Sequence, residues 1–343
     1  MRKGKAKVAL CAVLGLELML GGCSTFIKNT IMSSPPGRFA ANFFRSMYCV
    51  NNDKDFFIRV PENFYSRMNG EDEILLMIHG FGSSADDLGS MDDPNSPVRV
   101  AADEFDGKIL IANYPSKYTI QDVSERLLSV LEDVRSKYPG EFPRMYVLGH
   151  SMGGEVARYM ARSRPEYFRN VGLAGAPSEG VDFGAFTSYV SKNYPWLLDL
   201  ETKGERTCID DLFRGSDFFR KINTPTKPLD ISYSFFAFVN DIDDNRIIPG
   251  PDDALVPLFS AYPYDMIRQK KFEDVQIDDL VIFEGDVNHH TFLFNPEIMR
   301  YMLRALKEEK PITKAVPTYD DAVKYTVLEP SPYELSHRDF CKW

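Results

Sequence analysis

The stretch Met145–Gly154 constrains the fold of this chain more than any other. Its first part, Tyr146-Val-Leu148, is a short apolar run of β-favouring residues, as in a buried strand. The pattern Gly149-His-Ser-Met-Gly153 follows, and apolar residues then recur at helical spacing over 156–161. A G-x-S-x-G pattern between a strand and a helix predicts a sharp turn that presents the serine.

This turn predicts Ser151 as a catalytic nucleophile. A turn this tight strains the serine backbone and leaves almost no room for side chains two residues away, where Gly149 and Gly153 lie. The serine hydroxyl then lies at a helix N-terminus, whose free N–H groups favour developing negative charge. The structural alternative is a glycine-rich connection with an incidental serine.

Strands and helices alternate along most of the chain. This rhythm predicts an α/β fold with a mostly parallel central sheet and helices on both faces. We predict strands at 56–60, 74–78, 108–113, 146–148, 171–177, 231–239 and 280–283, and helical patterns at 123–134, 156–161 and 296–306.

The alternation lapses between about 178 and 230, a segment rich in Phe, Tyr and Trp, which we interpret as an inserted cap or lid. The domain therefore spans 51–310, with the insertion at about 178–230 and a C-terminal extension at 311–343 that shows no clear pattern. The aromatic content of the insertion suits acyl-chain contact and equally suits a cap that buries its own rings.

The first 22 residues predict an export signal. A basic leader precedes an apolar stretch at 8–20 that is too short to span a bilayer comfortably, and Leu20-Gly-Gly-Cys23 follows. The ending resembles the bacterial lipobox, which implies lipid attachment at Cys23, a tether over 23–50, and a lipid-anchored protein of the bacterial cell envelope.

Charge and cysteine content narrow the possible partners. Removing 1–22 takes away four positive charges and one negative, which leaves a net charge of −13. An acidic chain argues against nucleic acid as a partner and against electrostatic attraction to anionic lipid, so membrane attachment would rest on the lipid attached at Cys23.

Two of Cys49, Cys208 and Cys341 can pair in an oxidising compartment, but their spacing does not select the pair.

A serine nucleophile needs a base, and the chain has five histidines. His79 precedes a glycine turn, His150 lies inside the elbow beside the serine, and His337 lies in the C-terminal extension. The remaining pair, His289 and His290, lies on a loop between the last predicted strand and helix, where parallel-sheet enzymes place catalytic groups. The residues alone leave the choice between these two open.

A carboxylate that orients the base is expected between the serine and the histidine in chain order. Asp253 is preferred among the five aspartates after Val239, because Ala254-Leu-Val-Pro257 follows as an apolar anchor. The residues Asp241, Asp243, Asn245 and Asp252 match four positions of a calcium loop, yet Arg246 stands where that loop needs glycine. We therefore expect no metal and no cofactor.

The oxyanion of an acyl-transfer reaction needs hydrogen-bond donors. The glycine-rich turn His79-Gly-Phe-Gly82 follows a predicted buried strand, and Met152 follows the serine. We predict the backbone N–H groups of Phe81 and Met152 as the two donors, each typically worth about 10²–10³ in rate.

These motifs resemble the α/β-hydrolase superfamily and, within it, the bacterial lipases and esterases. The resemblance runs from about Glu73 to Leu306 and rests on three motifs, with lesser similarity at Tyr114-Pro-Ser116 and 211–223. His79-Gly-Phe-Gly82 resembles the oxyanion turn, Gly149-His-Ser-Met-Gly-Gly154 the nucleophile elbow, and Asp253-Ala-Leu-Val256 the acid motif. The family pattern fits His289 somewhat better than His290 as the base.

The sequence thus predicts a serine hydrolase that cleaves carboxylic esters, with apolar acyl or lipid substrates, through an acyl-enzyme. The same residues also suit a thioesterase, an amidase or an acyltransferase, because a fold does not fix the substrate. A surface lipoprotein that keeps a hydrolase fold without catalysis is the alternative from another class.

Overall fold

In the computed structural model, the described residues are 47–50, 55–61, 64–68, 72–138, 140–181, 187, 190–196, 206–240, 253, 255–285, 288–307 and 323–327. The predicted signal at 1–22, the predicted lipid-attachment residue Cys23 and the aspartate-rich stretch 241–252 lie outside them. No helix within the described ranges combines the length and the apolar character that crossing a bilayer requires.

The described strands form one nine-stranded sheet in the order β1-β2-β4-β3-β5-β6-β7-β8-β9. The six strands from β4 to β8 in that order run parallel, and β1, β2 and β9 pair antiparallel at the two edges. The strands are β1 (Met47–Val50), β2 (Phe57–Pro61), β3 (Leu75–Ile78), β4 (Ile109–Asn113), β5 (Met145–His150), β6 (Phe168–Ala174), β7 (Ser232–Asn240), β8 (Gln276–Gly285) and β9 (Val323–Val327).

Helices cover both faces of this sheet. Apolar residues of α3 and α4 pack on one face, and those of α2 and α9 pack on the other. The helices are α1 (Phe64–Arg67), α2 (Pro97–Glu104), α3 (Ile120–Ser136), α4 (Met152–Ser163), α5 (Cys208–Leu212), α6 (Asp217–Ile222), α7 (Leu258–Ala261), α8 (Tyr264–Arg268) and α9 (Pro296–Lys307), with 3₁₀ turns at Ala85–Leu88, Pro165–Tyr167 and Phe292–Phe294.

The continuous apolar runs of the sequence have a direct structural cause in this arrangement. In β3, Leu76 and Ile78 face the α3–α4 layer, while Leu75 and Met77 face the α2–α9 layer. Successive side chains of a strand point to opposite faces, so a strand covered on both faces must be apolar at every position. The predicted α/β class with a mostly parallel sheet is confirmed.

Several strands and helices form in segments where the sequence shows no clear strand or helix pattern. The strand β1 lies inside the predicted tether and pairs with β2, and β9 lies inside 311–343 and pairs with β8. The insertion contributes α5 and α6. Cys208, at the start of α5, is fully buried, and its Sγ donates to the carbonyl oxygen of Ser116 at 2.6 Å.

Candidate active site

The strand β5 and the helix α4 meet at Ser151, the single residue between them. Ser151 has φ 53° and ψ −126°, a conformation that side-chain-bearing residues rarely adopt. Its N–H donates to the carbonyl oxygen of Ala174 on β6 at 2.9 Å, and its side chain makes no capping bond with α4. The turn therefore has the strained geometry that the sequence predicts.

The two glycines of the elbow are required by close backbone approach. A Cβ atom at Gly149 would collide with the backbone of Gly153, and one at Gly153 would collide with the carbonyl oxygens of Ile78 and His79. The start of α4 thus lies directly against the end of β3. This contact brings the glycine-rich turn after β3 next to the serine.

Asp253 and His289 form a buried pair. Nδ1 of His289 donates to Oδ2 of Asp253 at 2.7 Å, and the exposed fractions of the two residues are 1% and 0%. The other carboxylate oxygen accepts the N–H groups of Leu255 and Val256, at 3.1 and 2.7 Å. The N–H of His289 also donates to the carbonyl oxygen of Asp253 at 2.7 Å. Both partners of the pair are therefore fixed by side-chain and backbone bonds.

The free face of the His289 imidazole is available for proton transfer. Its Nε2 is buried and has no hydrogen-bond partner in the part of the chain that the structure describes. A buried polar atom without a partner is uncommon and calls for an explanation. Because Nδ1 carries the hydrogen that Asp253 accepts, Nε2 of the neutral ring has a lone pair and can act as a base.

The ring of His290, the alternative base, lies beside that of His289, with the two centroids 5.5 Å apart. It is exposed to solvent, and its N–H donates to Oδ1 of Asn288 at 3.0 Å. The carboxylate of Asp253 bonds the ring of His289 instead. Of the two neighbouring histidines, His289 is the one that carries an orienting carboxylate.

His150 connects the elbow to the loop that carries His289, a contact that sequence reasoning missed. Its Nε2 donates to the carbonyl oxygen of His289 at 2.8 Å, and the two ring centroids are 4.9 Å apart. The ring also packs edge-on against Phe292. Burial, together with the neighbouring His289, holds the pKa of His150 well below its ordinary value, so the ring stays neutral.

The turn His79–Gly82 is held by Tyr114 and Ser116 at the end of β4. Tyr114 stacks on the His79 ring at 4.2 Å, and its hydroxyl donates to the carbonyl oxygen of His79. The N–H of Gly82 donates to Oγ of Ser116 at 2.8 Å. Burial lowers the pKa of His79 to about 4, so this histidine is neutral and acts as a structural support.

The predicted oxyanion donors lie on two elements that are in contact. Phe81 is buried in the turn after β3, and Met152 is the first residue of α4, whose leading N–H groups have no partner within the helix. The collision that a Cβ at Gly153 would cause with His79 shows how closely the two backbones approach.

A buried ion pair attaches α4 to the insertion. Glu155 and Arg158 are both fully buried and are joined at 2.8 Å. Oε1 of Glu155 accepts the hydroxyl of Ser178 at 3.4 Å, and Arg158 donates to Oδ1 of Asn223 at 2.7 Å. Burial raises the pKa of Glu155, and the nearby guanidinium opposes that rise. The helix that begins after Ser151 is thus fixed at both borders of the insertion.

A groove of about 1600 Å³ lies at the opposite edge of the sheet. Its lining includes Asp72 and Glu73 before β3, Arg144 before β5 and Ser232 at the start of β7. These positions are the amino ends of the parallel strands, whereas Ser151, Asp253 and His289 lie at or beyond the carboxyl ends. The groove is therefore separate from the candidate site.

Comparison with solved structures identifies the fold. The propeptide form of Bacillus licheniformis lipase BlEst2 aligns with a TM-score of 0.52 at 14% identity, over 78% of this chain and 56% of that chain. Its mature form aligns with a TM-score of 0.49 at 16% identity, over 75% and 99%. An α/β-hydrolase fold protein from Chitinophaga pinensis aligns with a TM-score of 0.45 at 14% identity, over 76% and 95%. The alignment with a TM-score above 0.5 and the strand order of the sheet together show the α/β-hydrolase fold.

A family model matches less than half of the chain. Residues 88–199, which include the elbow, match the family described as "Putative esterase". No curated protein matches this chain. At identities of 14–16% the structural likeness shows the fold alone, so the family match is the comparison that supports an ester hydrolase.

Proposed function

We propose that this chain is a serine hydrolase that cleaves carboxylic esters through an acyl-enzyme. The observation that carries the proposal is the buried Asp253–His289 pair, whose imidazole keeps an unpartnered Nε2. The strained elbow at Ser151 and the esterase family match over 88–199 add support.

In the proposed reaction, Oγ of Ser151 attacks the acyl carbon while Nε2 of His289 accepts the hydroxyl proton. Asp253 holds the imidazole in the required tautomer and stabilises the imidazolium. The N–H groups of Phe81 and Met152 stabilise the oxyanion. His289 then protonates the leaving alcohol, and water releases the acid in a second, equivalent cycle. This chemistry needs no metal or cofactor.

We propose apolar acyl esters as the substrate class. The insertion that follows β6 is rich in aromatic residues, and Tyr194 and Trp196 are among those that the structure describes. Aromatic side chains bury large apolar areas and suit acyl-chain contact.

The test is hydrolysis of a series of p-nitrophenyl esters by the wild type, set against matched thioester and amide substrates. We expect ester turnover that Ser151→Ala abolishes while the melting temperature stays near that of the wild type. Faster turnover of the thioester or the amide than of the ester would identify the chain as a thioesterase or an amidase instead. A folded wild type that is inert toward all three would support a non-catalytic protein.

We also propose export and attachment to the bacterial cell envelope through a lipid on Cys23. The support is the basic leader, the apolar stretch and Leu20-Gly-Gly-Cys23 in the sequence. Incorporation of labelled palmitate into the wild type, and its loss in Cys23→Ala, is the expected result. Equal labelling of both proteins would contradict it.

A further inference from the structure

A short segment of the insertion lies against the turn that is proposed to bind the acyl oxygen. Residues 190–196 follow the strand β6, and the N–H of Tyr194 donates to the carbonyl oxygen of Val190 at 2.7 Å, as in a helical turn. Val190 is fully buried, so it anchors this segment, while Tyr194 is half-buried and Trp196 is 42% exposed. The backbone of Tyr194 is thus attached to a fully buried residue.

Two contacts place the Tyr194 side chain on the turn. Its ring meets the ring of Phe81 edge-on, with the centroids 5.0 Å apart and an interplanar angle of 81°. A Cβ atom at Gly82 would collide with the hydroxyl and ring carbons of Tyr194, so the phenol lies directly over that glycine. Gly82 also has φ 68°, which favours glycine at this position.

The turn beneath Tyr194 is rigidly held. The N–H of Gly82 bonds Oγ of Ser116 at 2.8 Å, and the N–H of Ser83 bonds the carbonyl oxygen of Gly80 at 3.4 Å. The ring of Tyr194 packs on this turn against Phe81 and Gly82. Tyr194 therefore forms a defined wall beside the turn.

The proposed mechanism determines which part of the substrate lies next to the side chain of Tyr194. The leaving alcohol receives its proton from Nε2 of His289, so the alcohol lies toward the His289 loop. The acyl oxygen is bound by the N–H of Phe81, so the carbonyl carbon and the first atoms of the acyl chain lie next to the turn. Tyr194 contacts Phe81 and Gly82 on that turn.

We infer that Tyr194 is a specificity-determining residue that contacts the acyl chain of the ester and limits its length. This inference rests on the proposed ester hydrolase. A smaller side chain opens space for added methylenes, whereas a larger one removes space. One methylene in an apolar pocket changes kcat/KM by about 10-fold or more, so the length preference responds strongly to the wall.

The experiment measures kcat/KM of p-nitrophenyl acetate, butyrate, octanoate and laurate for the wild type, Tyr194→Leu, Tyr194→Trp and Tyr194→Phe. We expect Tyr194→Leu to raise the octanoate-to-acetate ratio by about 10-fold and Tyr194→Trp to lower it. Tyr194→Phe keeps the ring and should leave the ratio within about 3-fold of the wild type. Opposite changes in the ratio for Tyr194→Leu and Tyr194→Trp would indicate a size limit, because a nonspecific loss of activity would affect all esters alike.

The control is Tyr138→Ala, which removes a phenol at the opposite edge of the sheet, where Tyr138 packs edge-on against Phe142. It should lower stability without changing the length ratio. If Leu and Trp change kcat/KM by the same factor for every ester, the inference is overturned while the ester hydrolase stands. A wild type that neither hydrolyses an ester nor reacts at Ser151 overturns both.

Discussion

Asp253 and His289 are joined twice, although 36 residues separate them in the chain. Oδ2 of Asp253 accepts the hydrogen of Nδ1 of His289, and the carbonyl oxygen of Asp253 accepts the backbone N–H of His289, each at 2.7 Å. The second bond fixes the loop, and the first fixes the ring. This double attachment fixes both the tautomer and the orientation of the imidazole.

Asp253→Asn should remove the tautomer control while keeping the size of the side chain. The amide oxygen takes the place that accepts the N–H groups of Leu255 and Val256, so the amide nitrogen faces Nδ1 of His289. An amide nitrogen cannot accept the Nδ1 hydrogen, so the hydrogen moves to Nε2, where the lone pair is needed. We expect kcat to fall by about 10³–10⁴-fold with a small change in KM. Steady-state kinetics check this, with Asp133→Asn on the exposed face of α3 as the matched control. A change of less than about 5-fold would contradict the assigned role.

His289→Ala and His290→Ala should differ sharply. His289 is buried and bonded to the carboxylate, whereas His290 is exposed. A positioned general base contributes about 10²–10⁴ in rate, so we expect that loss from the first variant and less than about 3-fold from the second. The kcat/KM values of the two variants decide between the histidines. A larger loss in His290→Ala would transfer the role of base to that residue.

His150→Phe should slow the reaction without removing any group that reacts. The phenyl ring preserves packing on Phe292 but leaves the buried carbonyl oxygen of His289 without its donor. An unsatisfied buried acceptor costs about 1–3 kcal/mol, which disfavours the loop position that holds the His289 ring, so we expect kcat/KM to fall about 10-fold. His290→Phe is the control on the same loop. Equal kinetics for His150→Phe and the wild type would show that this bond does not position the base.

Asp211 should make stability depend on pH. Burial raises the pKa of this carboxyl from 3.8 to about 6, although one oxygen accepts the N–H of Ile120 at the start of α3. At Asp211 the folded protein therefore binds more protons than the unfolded chain between pH 4 and 6, so the contribution of this carboxyl to stability falls as pH rises through that window. The expected fall in the free energy of unfolding is about 1–3 kcal/mol. We expect Asp211→Asn to reduce this fall, as measured by urea unfolding at pH 4, 5 and 6. An unchanged slope would refute the raised pKa.

The elements that the sequence predicts well are those whose signal is local. The runs at 74–78 and 108–113 are apolar because both faces of each strand are covered by helices. Every position of such a strand is buried and therefore favours an apolar residue. The elbow at Ser151 is equally local, because its glycines and its serine are consecutive. Asp253 and His289 can be predicted as candidates because they follow strands, and parallel strands bring such loops to one edge of the sheet.

The contacts that the sequence does not reveal join residues that are far apart in the chain. His150 meets His289 across 139 positions, and nothing near His150 indicates which loop its ring faces. The pairing of β9 with β8 is missed because Val323–Val327 is a short strand whose neighbours carry no periodic pattern. Tyr194 is one of many aromatic residues in its segment, and only its place over Gly82 distinguishes it.

The most direct measurement is the covalent labelling of the intact protein by a fluorophosphonate, followed by mass spectrometry of its peptides. We predict a single phosphonate adduct on Ser151, formed at a rate that His289→Ala lowers by about 10² or more, and no adduct in Ser151→Ala. An adduct on a different residue, or undiminished labelling of Ser151→Ala, would contradict the assignment of this serine as the nucleophile.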